Sequence, residues 1–574
     1  MGNCKFTNEL NRLRKSSSDS IDNVEKFDGF KEYMHVTRTA EEDLKSILRK
    51  INLSGKKSLV LLCGSAGDGK SHLLSYLKNS DEENLIANYT VYNDATESSA
   101  PSMTAIQTLR VLLKDFRDTD LALPGENIIL AINLGVLSNF IESEFGDEFS
   151  KLRNYVENSN ILTSQVNVND YDESSPFQHV SFSDYHMYSL REDGIHAGYI
   201  EDIEKKVFDK TDENVFYQAY LNHCTSCPLA QKCPVKNNYE FMMDDKRQKY
   251  IAELLVKTII QYKVILTTRE ILNFVYDILV AQDFSFTKYQ KLMVDDTAFL
   301  KEYLKHITPS LLFDSADVTT LMNLLQKYDP LLMRTEAGDA MAISYYVSGN
   351  ICKEIKTAVI NLPYANVLCD STLIAKLNSD KVLKSMVFNL IVRCEFIESE
   401  DRTDAVYEQY LKDLYWYNAG KGKKLGLLYN MVEKGVAQWC GSDEDGNLCL
   451  EERRSGFSIF ESVKFKEMIS HIPNPENTDE LQRFIPSIVT AFENPDGGQI
   501  LLDIDYSLYE LIYRLNKGYI QTAEDRNNHA DFISFINRIL QTGSLTESLS
   551  IVSSDDKRAS ISKGMFGYKF KVVK

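Results

Sequence analysis

A glycine-rich loop carries the clearest chemical signature in this sequence. Residues 64–71 read GSAGDGKS and match the phosphate-loop pattern G-x-x-x-x-G-K-[ST] without a gap. Glycines let backbone N–H groups close around phosphates without Cβ clashes, and the helix that follows adds partial positive charge at its N-terminus. Lys70 would then reach the β- and γ-phosphates of a nucleotide, and the Ser71 hydroxyl would bind Mg²⁺. We predict nucleotide contacts from Gly64, Gly67, Asp68, Gly69, Lys70, Ser71 and His72.

Hydrolysis of a bound nucleotide would require a carboxylate close to Mg²⁺ and a second one to activate water. Asp94 and Glu97 follow a short apolar run and are the candidate acids, although Asp94 also suits a helix cap. A second apolar run, 127–132, ends in Asn133 in place of an acid. Many AAA-like ATPases place such a polar sensor residue against the γ-phosphate. If Asn133 instead stands at the metal-binding position, slow hydrolysis and a switch-like use of nucleotide are expected.

Arg269 is the candidate for a third catalytic element. It follows the segment VILTT at 264–268 and opens an amphipathic helical pattern, with Thr267 or Thr268 as the cap. An arginine at the start of a lid helix can sense the γ-phosphate, as lid arginines do in AAA-like proteins. The alternative is an exposed arginine near a helix start, where the helix dipole does not favour a positive charge.

Three thiols and one imidazole lie within eleven residues, and they suggest a structural metal site. The set consists of His223, Cys224, Cys227 and Cys233. The three cysteines supply soft ligands for Zn²⁺, whose fourth ligand would be His223 or a distant residue such as His186 or His196. An iron–sulfur cluster is the alternative metal centre, and it calls for a fourth cysteine. Three unrelated thiols would be the simplest alternative.

Composition limits the class of protein. A chain of 574 residues is long enough for about two to four domains. Apolar residues make up 43% and charged residues 26%, which is typical of a folded chain, and no apolar run is long enough to span a membrane. Ten cysteines are too sparse for a disulfide scaffold, so we expect a cytoplasmic protein. The net charge of −19 argues against broad DNA binding by the chain alone and favours protein partners.

Short apolar strands alternate with helical patterns in the first third of the chain. We predict strands at 58–63, 90–93, 127–133 and 179–185, which would form a parallel sheet covered by helices on both faces. This predicts an α/β P-loop NTPase domain of the AAA or STAND type, followed by mostly α-helical domains and a short C-terminal β-hairpin. The predicted domains are an N-terminal extension (1–40), a P-loop domain containing the cysteine loop (41–265), a helical lid-like domain (266–370) and a helical C-terminal domain (371–574). Within the last of these, residues 501–520 and 530–541 are predicted helices.

Taken together, these segments resemble a bacterial protein family. The chain is similar to the DptF family, the ATPase-like subunits of DNA phosphorothioation-dependent restriction systems. The resemblance spans most of the chain and rests on VLLCGSAGDGKSHLL (60–74), YNDATESSAPSMTAIQTL (92–109), ILAINLGVLSNFIE (129–142), CTSCPLAQKCPVKNNYE (224–240), TTREILNFVYDIL (267–279) and YELIYRLNKGY (509–519).

This resemblance implies a function alongside DptG- and DptH-like protein subunits. Such a complex attacks DNA that lacks the phosphorothioate modification, and so it defends the cell against phage while sparing self DNA. Carried over to this chain, Gly64, Gly69, Lys70 and Ser71 would bind ATP with Mg²⁺. The alternative is a nucleotide-switched signalling or scaffold protein without significant turnover. No set of nuclease-type catalytic residues stands out in the sequence, so the chain would act on DNA as part of the complex.

Overall fold

The computed structural model divides the chain into two compact units. The first comprises Met1–Tyr188, Ala197–Ile259 and Lys263–Arg402, and the second comprises Ser189–His196, Ile260–Tyr262 and Thr403–Lys574. The structure describes residues 4–14, 29–65, 67–93, 104–162, 171–347, 351–377, 379–399, 404–451, 456–473, 479–494, 497–542, 549–553, 555, 557–564 and 567–573.

A four-stranded parallel sheet organises the N-terminal part of the first unit. Its spatial order is β2–β3–β1–β4, so the strand that precedes the glycine loop has a neighbour on each side. The elements of this part are α1 (Lys5–Leu10), α2 (Gly29–Tyr33), α3 (Thr39–Ser54), β1 (Leu59–Cys63), α4 (Lys70–Asn79), β2 (Tyr89–Tyr92), α5 (Ala105–Leu112), β3 (Asn127–Ile132), α6 (Leu134–Ile141), α7 (Ser150–Asn158) and β4 (Phe177–Ser181).

Burial on both faces explains why these strands read as continuous apolar runs. Every residue of β1 is buried, and alternate residues contribute to different cores. Val60 and Leu62 belong to a core that includes residues of α3 and α4. Leu59 and Leu61 belong to the opposite core, which includes residues of α5, α6 and α7. The predicted parallel sheet between two helical layers is therefore confirmed.

The remainder of the first unit is helical. Its helices are α8 (Gly198–Phe208), α9 (Val215–Cys224), α10 (Pro234–Met242), α11 (Asp245–Tyr262), α12 (Thr268–Leu279), α13 (Phe286–Leu292), α14 (Asp296–Lys305), α15 (Thr308–Asp314), α16 (Thr320–Leu325), α17 (Glu336–Val347), α18 (Ile351–Val359), α19 (Ala365–Leu368), α20 (Ser371–Leu377) and α21 (Lys381–Glu398). The last three residues of α11 fall in the second unit. Within the described part of the chain, no helix is both long and apolar enough to cross a lipid bilayer.

The second unit combines helices with antiparallel strands. It contains β5 (Ser189–Arg191), β6 (Gly194–His196), α22 (Ala405–Asn418), α23 (Gly426–Cys440), β7 (Leu448–Glu451), β8 (Phe457–Glu461), β9 (Glu467–Met468), β10 (Ile488–Glu493), β11 (Gln499–Ile504), α24 (Tyr506–Asn516), α25 (Ala523–Asn528), α26 (Ala530–Gln541), β12 (Leu549–Ser553), β13 (Arg558–Gly564) and β14 (Gly567–Val573). These strands form one two-stranded sheet (β5–β6), one three-stranded sheet (β11–β10–β9) and one five-stranded sheet (β14–β13–β12–β8–β7).

Two predicted elements differ from the structure. The fourth parallel strand is Phe177–Ser181, and residues 182–184 form a 3₁₀ turn in place of the predicted strand end. Residues 501–504 belong to a strand, although the sequence predicts a helix from 501 to 520. Burial alternates along this strand, and the helix begins only after Asp505, whose carboxylate accepts a hydrogen bond from the Leu508 N–H. An apolar strand that runs directly into a capped helix has no turn signal to separate them.

The predicted domain boundaries also differ from the observed units. The lid-like domain predicted at 266–370 is part of the same compact unit as the parallel sheet, and the main division falls between 402 and 403. The predicted helical C-terminal domain, 371–574, contains two antiparallel sheets as well as helices. Strands β13 and β14 pair antiparallel, but residues 565–566 between them lie outside the described residues, so the terminal hairpin stays a prediction.

Candidate functional site

The glycine loop leaves β1 with backbone angles that only glycine adopts without strain. Gly67 and Gly69 have φ angles of 87° and 99°, and Gly69 caps the N-terminus of α4. A Cβ added to Gly64 would lie 2.0 Å from Oδ2 of Asp68 and 3.0 Å from the Cβ of Phe182. The loop therefore packs closely against the Asp68 side chain and Phe182 just before α4 begins. Within this segment Ala66 lies outside the described residues.

The Lys70 ammonium is held inside this loop by two oxygen-bearing partners. Its Nζ donates to the carbonyl oxygen of Ser65 at 2.7 Å and to the two carboxylate oxygens of Asp68 at 3.0 and 3.1 Å. Lys70 is buried, with 7% of its surface exposed. Burial raises the pKa of Asp68, while the charges of Lys70 and Arg38 act in the opposite direction. The buried Lys70 ammonium is thus paired with the Asp68 carboxylate, an anionic partner whose place a phosphate group could take.

Arg38 supports the loop from the N-terminal segment. Its Nη1 donates to the carbonyl oxygen of Asp68 at 2.8 Å, and its Nη2 donates to that of Tyr185 at 3.3 Å. The guanidinium carbon lies 5.5 Å from the ring centre of Phe182 and 5.0 Å from that of Tyr199. These contacts are within the range of cation–π attraction. Residues 29–38 are therefore part of the site, although the sequence predicts only an extension there.

The start of α12 approaches the same loop. A Cβ on Gly67 would lie 3.5 Å from the Thr267 side chain, and one on Gly69 would lie 4.0 Å from Oγ1 of Thr268. Thr267 caps α12 in a reciprocal capping box with Glu270. The Thr268 hydroxyl is 2.9 Å from the Tyr199 hydroxyl. Together these contacts place Arg269, the next residue, at the cavity above the loop.

One cavity of about 340 Å³ brings most of the predicted site residues together. Loop residues 67–72 line it, and so do Asn93, Asn133 and Arg269. The sequence predicts no contribution from a further wall, which is built from the N-terminal segment and includes Phe30, Met34, His35, Val36 and Arg38. No motif marks these residues, and only the aromatic and basic character of the segment 30–38 could have pointed to them. The predicted acids Asp94 and Glu97 lie outside the described residues.

Two asparagines stand at the carboxyl ends of neighbouring strands. Asn133 follows β3, which pairs directly with β1, and Asn93 follows β2, one strand further away. Ligands of open parallel sheets bind beyond this edge. The Oδ1 atom of Asn93 is buried and has no hydrogen-bond partner among the described residues. A buried acceptor of this kind suits a polar ligand or its metal-bound water.

A pair of histidines lies beside the loop. The Nδ1 atom of His35 is 3.1 Å from Nε2 of His72, and the His35 ring stacks on Tyr76 with ring centres 3.7 Å apart. The Nε2 atom of His35 is 3.1 Å from the Glu41 carboxylate. Burial is the main cause that lowers the pKa of His72 to about 4, and the charges of the neighbouring His35 and Lys31 contribute to this shift. His72 is therefore neutral at physiological pH and packs as a rigid aromatic wall of the cavity.

The predicted cysteine site lies on the loop between α9 and α10. Among the described residues, one group of three or more potential ligands has all its donor atoms within 4.8 Å of one another, and it contains none of Cys224, Cys227 and Cys233. The three cysteines carry free thiols. His223 is exposed, whereas its neighbour Cys224 is buried. The Zn²⁺ site with His223 as a ligand therefore stays a prediction.

The compact ligand group is Asp283, Glu302 and His306. Nε2 of His306 lies 3.0 Å from the Asp283 carboxylate and 3.8 Å from that of Glu302. The Lys288 ammonium lies 2.8 Å from Glu302 and 3.5 Å from Asp283. Lys288 thus already provides a positive charge between the two carboxylates, which reduces the attraction of the group for a metal ion.

The cavity beside the glycine loop is consequently the site whose residues converge most clearly. It combines a buried lysine, two glycines with positive φ angles and two strand-end asparagines with an arginine from α12. Comparison of the chain with protein-family models, curated proteins and solved structures returned no match.

Proposed function

We propose that the chain is a P-loop ATPase of the AAA-like type that serves as a subunit of a DNA restriction complex. The observation that carries the ATPase proposal is the convergence of Lys70, Asn133 and Arg269 on one cavity at the carboxyl edge of a parallel sheet. The restriction role is supported by the resemblance to the DptF family. In this role the chain uses ATP within an antiphage complex, with DptG- and DptH-like partners, against DNA that lacks phosphorothioate.

The residues of the glycine loop fit the triphosphate of a nucleoside triphosphate. The cradle around Gly64 has no room for a side chain, and the Lys70 ammonium needs only to exchange the Asp68 carboxylate for phosphate oxygens. The Ser71 hydroxyl and the Oδ1 atom of Asn93 are the groups that would hold hydrated Mg²⁺. When bound, Mg²⁺ neutralises charge on the β- and γ-phosphate oxygens.

The apolar wall of the cavity fits the base. Phe30, Met34 and Val36 supply apolar surface, and the stacked rings of His35 and His72 add aromatic faces. Nucleotide bases are bound by apolar and aromatic walls of this kind. We propose that the adenine ring of ATP occupies this wall while the triphosphate follows the loop.

Hydrolysis is assigned to polar groups around the γ-phosphate. Asn133 would donate its amide to the γ-phosphate or to the attacking water, and Arg269 would neutralise charge that develops in the transition state. Asp94 and Glu97 follow β2 directly in the sequence and are the proposed acids near Mg²⁺ and water. In this proposal the glycine loop binds ATP, and the residues at the strand ends and at the start of α12 hydrolyse it.

This division predicts a separation of affinity from turnover. Asn133→Ala and Arg269→Ala are each expected to lower ATP turnover by about 100-fold, because each removes a preorganised partner of the transition state. ATP affinity should change by less than about threefold, since Lys70 and the loop glycines remain. Steady-state hydrolysis and equilibrium ATP binding are measured on the same preparations. Asn430→Ala, at an exposed position in α23, is the matched control. Loss of affinity in parallel with turnover would contradict the assigned roles.

The buried Asp68 carboxylate gives a second prediction. Asp68→Asn is expected to bind ATP about tenfold more tightly at pH 7, because a negative charge beside the phosphates is removed. The pKa of Asp68 is raised by burial, so in the wild type this charge is lost on acidification earlier than for an ordinary aspartate. The affinity ratio of Asp68→Asn to wild type should therefore fall towards one as pH decreases.

Both affinities are measured by titration calorimetry at each pH from 7.5 downwards. The protonation of ATP itself affects both proteins equally, so it cancels in their ratio. Asp147→Asn carries the same charge change at a side chain that is 92% exposed, and it should leave the affinity unchanged. Weaker ATP binding by Asp68→Asn would show that the carboxylate organises the loop and does not compete with phosphate.

The complex itself is tested with partners and DNA. We expect the purified chain to show low turnover, and turnover to rise when DptG- and DptH-like subunits are added with unmodified DNA. Phosphorothioate-modified DNA of the same sequence is the control. Strong stimulation of the chain alone by DNA would contradict the partner-dependent role, which the net charge of −19 favours.

The second candidate function is a nucleotide-switched scaffold. It is favoured by one observation, the amide of Asn133 where the strand beside β1 ends. A site that binds ATP tightly and hydrolyses it negligibly, with or without partners and DNA, would establish this alternative.

A further inference from the structure

The cysteine loop connects two helices through three tight turns. Cys224 is the last residue of α9, and Cys233 is the N-cap of α10, which begins with Pro234. The Cys227 N–H donates to the carbonyl oxygen of Cys224, the Ala230 N–H to that of Cys227, and the Cys233 N–H to that of Ala230, over 3.0 to 3.4 Å. These consecutive turns keep three thiols within one compact loop.

Helix α1 brings a fourth cysteine to this loop from the beginning of the chain. Cys4 is the N-cap of α1, and Phe6, two residues later, is almost fully buried. The Phe6 ring packs edge-on against Tyr220 and Tyr239, with ring centres 6.1 and 5.1 Å apart. Tyr220 lies one turn before Cys224 on α9, and Tyr239 lies on α10 after Cys233. The same aromatic contacts therefore hold α1, which Cys4 caps, against the two helices that flank the cysteine loop.

The four cysteines are also near one another, because the charges of Cys233, Cys4 and Cys227 act on Cys224, and those of Cys4 and Cys227 act on Cys233.

We propose that Cys4, Cys224, Cys227 and Cys233 ligate an iron–sulfur cluster. Four cysteine thiolates are the usual ligand set of both common cluster types. A single tetrahedral Zn²⁺ would hold its sulfurs about 4 Å apart, because each Zn–S bond is ~2.3 Å. Among the described residues no group that includes these cysteines is so compact, whereas a multi-iron cluster spreads its thiolates further. The exposed His223 is thereby replaced by Cys4 as the fourth ligand.

The cluster would act as a structural link between the chain start and the cavity helices. Arg14, just beyond α1, donates to the Asp277 carboxylate at 2.5 Å. Asp277 lies on α12, the helix whose first turn meets the glycine loop. Cluster binding would therefore hold α1 against α9 and α10 and, through Arg14, against α12. This inference is independent of the proposed ATPase activity.

The test is metal analysis of the full chain, expressed with added iron and purified without oxygen. We expect iron and acid-labile sulfide in equal amounts, with a visible absorption band that bleaches on reduction. Cys4→Ser and Cys227→Ser should each lower the iron content at least about tenfold, because each removes a ligand. His223→Ala and Cys440→Ser are the controls and should retain wild-type iron. Retention of iron by Cys4→Ser would overturn the proposal, as would one zinc per chain without iron, or no metal at all.

A measurement on the unmodified chain covers the case in which Cys4→Ser fails to fold. Thiols are alkylated under native conditions before and after removal of the metal, and the labelled residues are identified by mass spectrometry. Cys4 and Cys227, the two proposed ligands that are only partly buried, should be protected only while the metal is bound, whereas Cys440 labels equally in both states. Labelling of Cys4 at the same rate with and without metal would overturn its assignment as a ligand.

Discussion

Replacing Lys70 with alanine is expected to weaken ATP binding by at least about 100-fold, corresponding to ~2.7 kcal/mol. The Lys70 ammonium is buried at the start of α4 and already bonds to a carboxylate and a carbonyl oxygen. Charge-assisted bonds to phosphate oxygens are among the strongest that a side chain forms, and burial limits their screening by water. In Lys70→Ala the Asp68 carboxylate would also face the phosphates without a compensating cation.

The effect is measured by titration calorimetry and by the thermal midpoint with and without ATP. Ligand binding to the folded state raises the midpoint of the wild type, and Lys70→Ala should show no such rise. Lys56→Ala, in which an exposed lysine paired with Glu173 is removed, is the control with the same change of side chain. The double variant Lys70→Ala/Asp68→Asn separates the loss of the cation from the repulsion by Asp68. ATP affinity of Lys70→Ala within about threefold of wild type would show that the phosphates bind elsewhere.

The largest effect on stability is expected from Arg393→Ala. Arg393 lies on α21 with 2% of its surface exposed and bonds to two carboxylates. Its Nη atoms donate to both oxygens of Asp314 at 2.6 Å, and Nε and Nη2 donate to Asp329 at 3.2 and 2.6 Å. Burial alone would lower the pKa of Arg393, but the hydrogen bonds that it donates to Asp314 and Asp329 raise it. The guanidinium is therefore charged and links α15, α21 and the turn at Asp329.

Removal of this arginine leaves the Asp329 side chain, only 8% exposed, without its cation. Breaking one partner of a buried ion pair typically costs about 3–5 kcal/mol. We expect a loss of this size in the unfolding transition of the first unit, measured by urea denaturation. Asp314 contributes less, because its side chain is 59% exposed. The comparison is Arg334→Ala, which removes an arginine that is 88% exposed and should change stability by less than about 0.5 kcal/mol.

A rescue variant identifies the cause of this loss. Arg393→Ala/Asp329→Asn replaces the unpaired carboxylate with a neutral amide of the same shape, so part of the stability should return. Equal stability of Arg393→Ala and the rescue variant would indicate that lost packing, and not the unpaired charge, produces the effect. A change below about 1 kcal/mol in Arg393→Ala would contradict the assigned role of the ion pair.

Local features of the site and of the parallel sheet could be predicted from the sequence. Gly64, Gly69, Lys70 and Ser71 are neighbours along the chain, and the loop that they form depends on backbone angles that glycine itself permits. The apolar run 59–63 has the length of a buried strand and is too short for a helix. Helix starts such as the capping box at Thr267 are also encoded within a few residues.

Features that join separate segments needed the tertiary structure. Arg38 reaches Asp68 from the N-terminal segment, and Thr267 and Thr268 reach the loop from α12, about 200 residues further along. The strand at 499–504 runs into a helix without a turn, so its pairing partner β10 decides its conformation. Sequence periodicity describes one segment at a time, whereas these contacts depend on which segments the fold brings together.

The glycine loop and the cysteine loop show where this division falls. The phosphate loop could be predicted from the sequence, because the pattern lies in consecutive residues and in one lysine next to them. The sequence also showed three of the four thiols. Only the tertiary structure placed Cys4 beside them, since the packing of Phe6 against Tyr220 and Tyr239 closes a gap of more than 200 residues. Burial of apolar surface provides that closure, and its partners cannot be read from either segment alone.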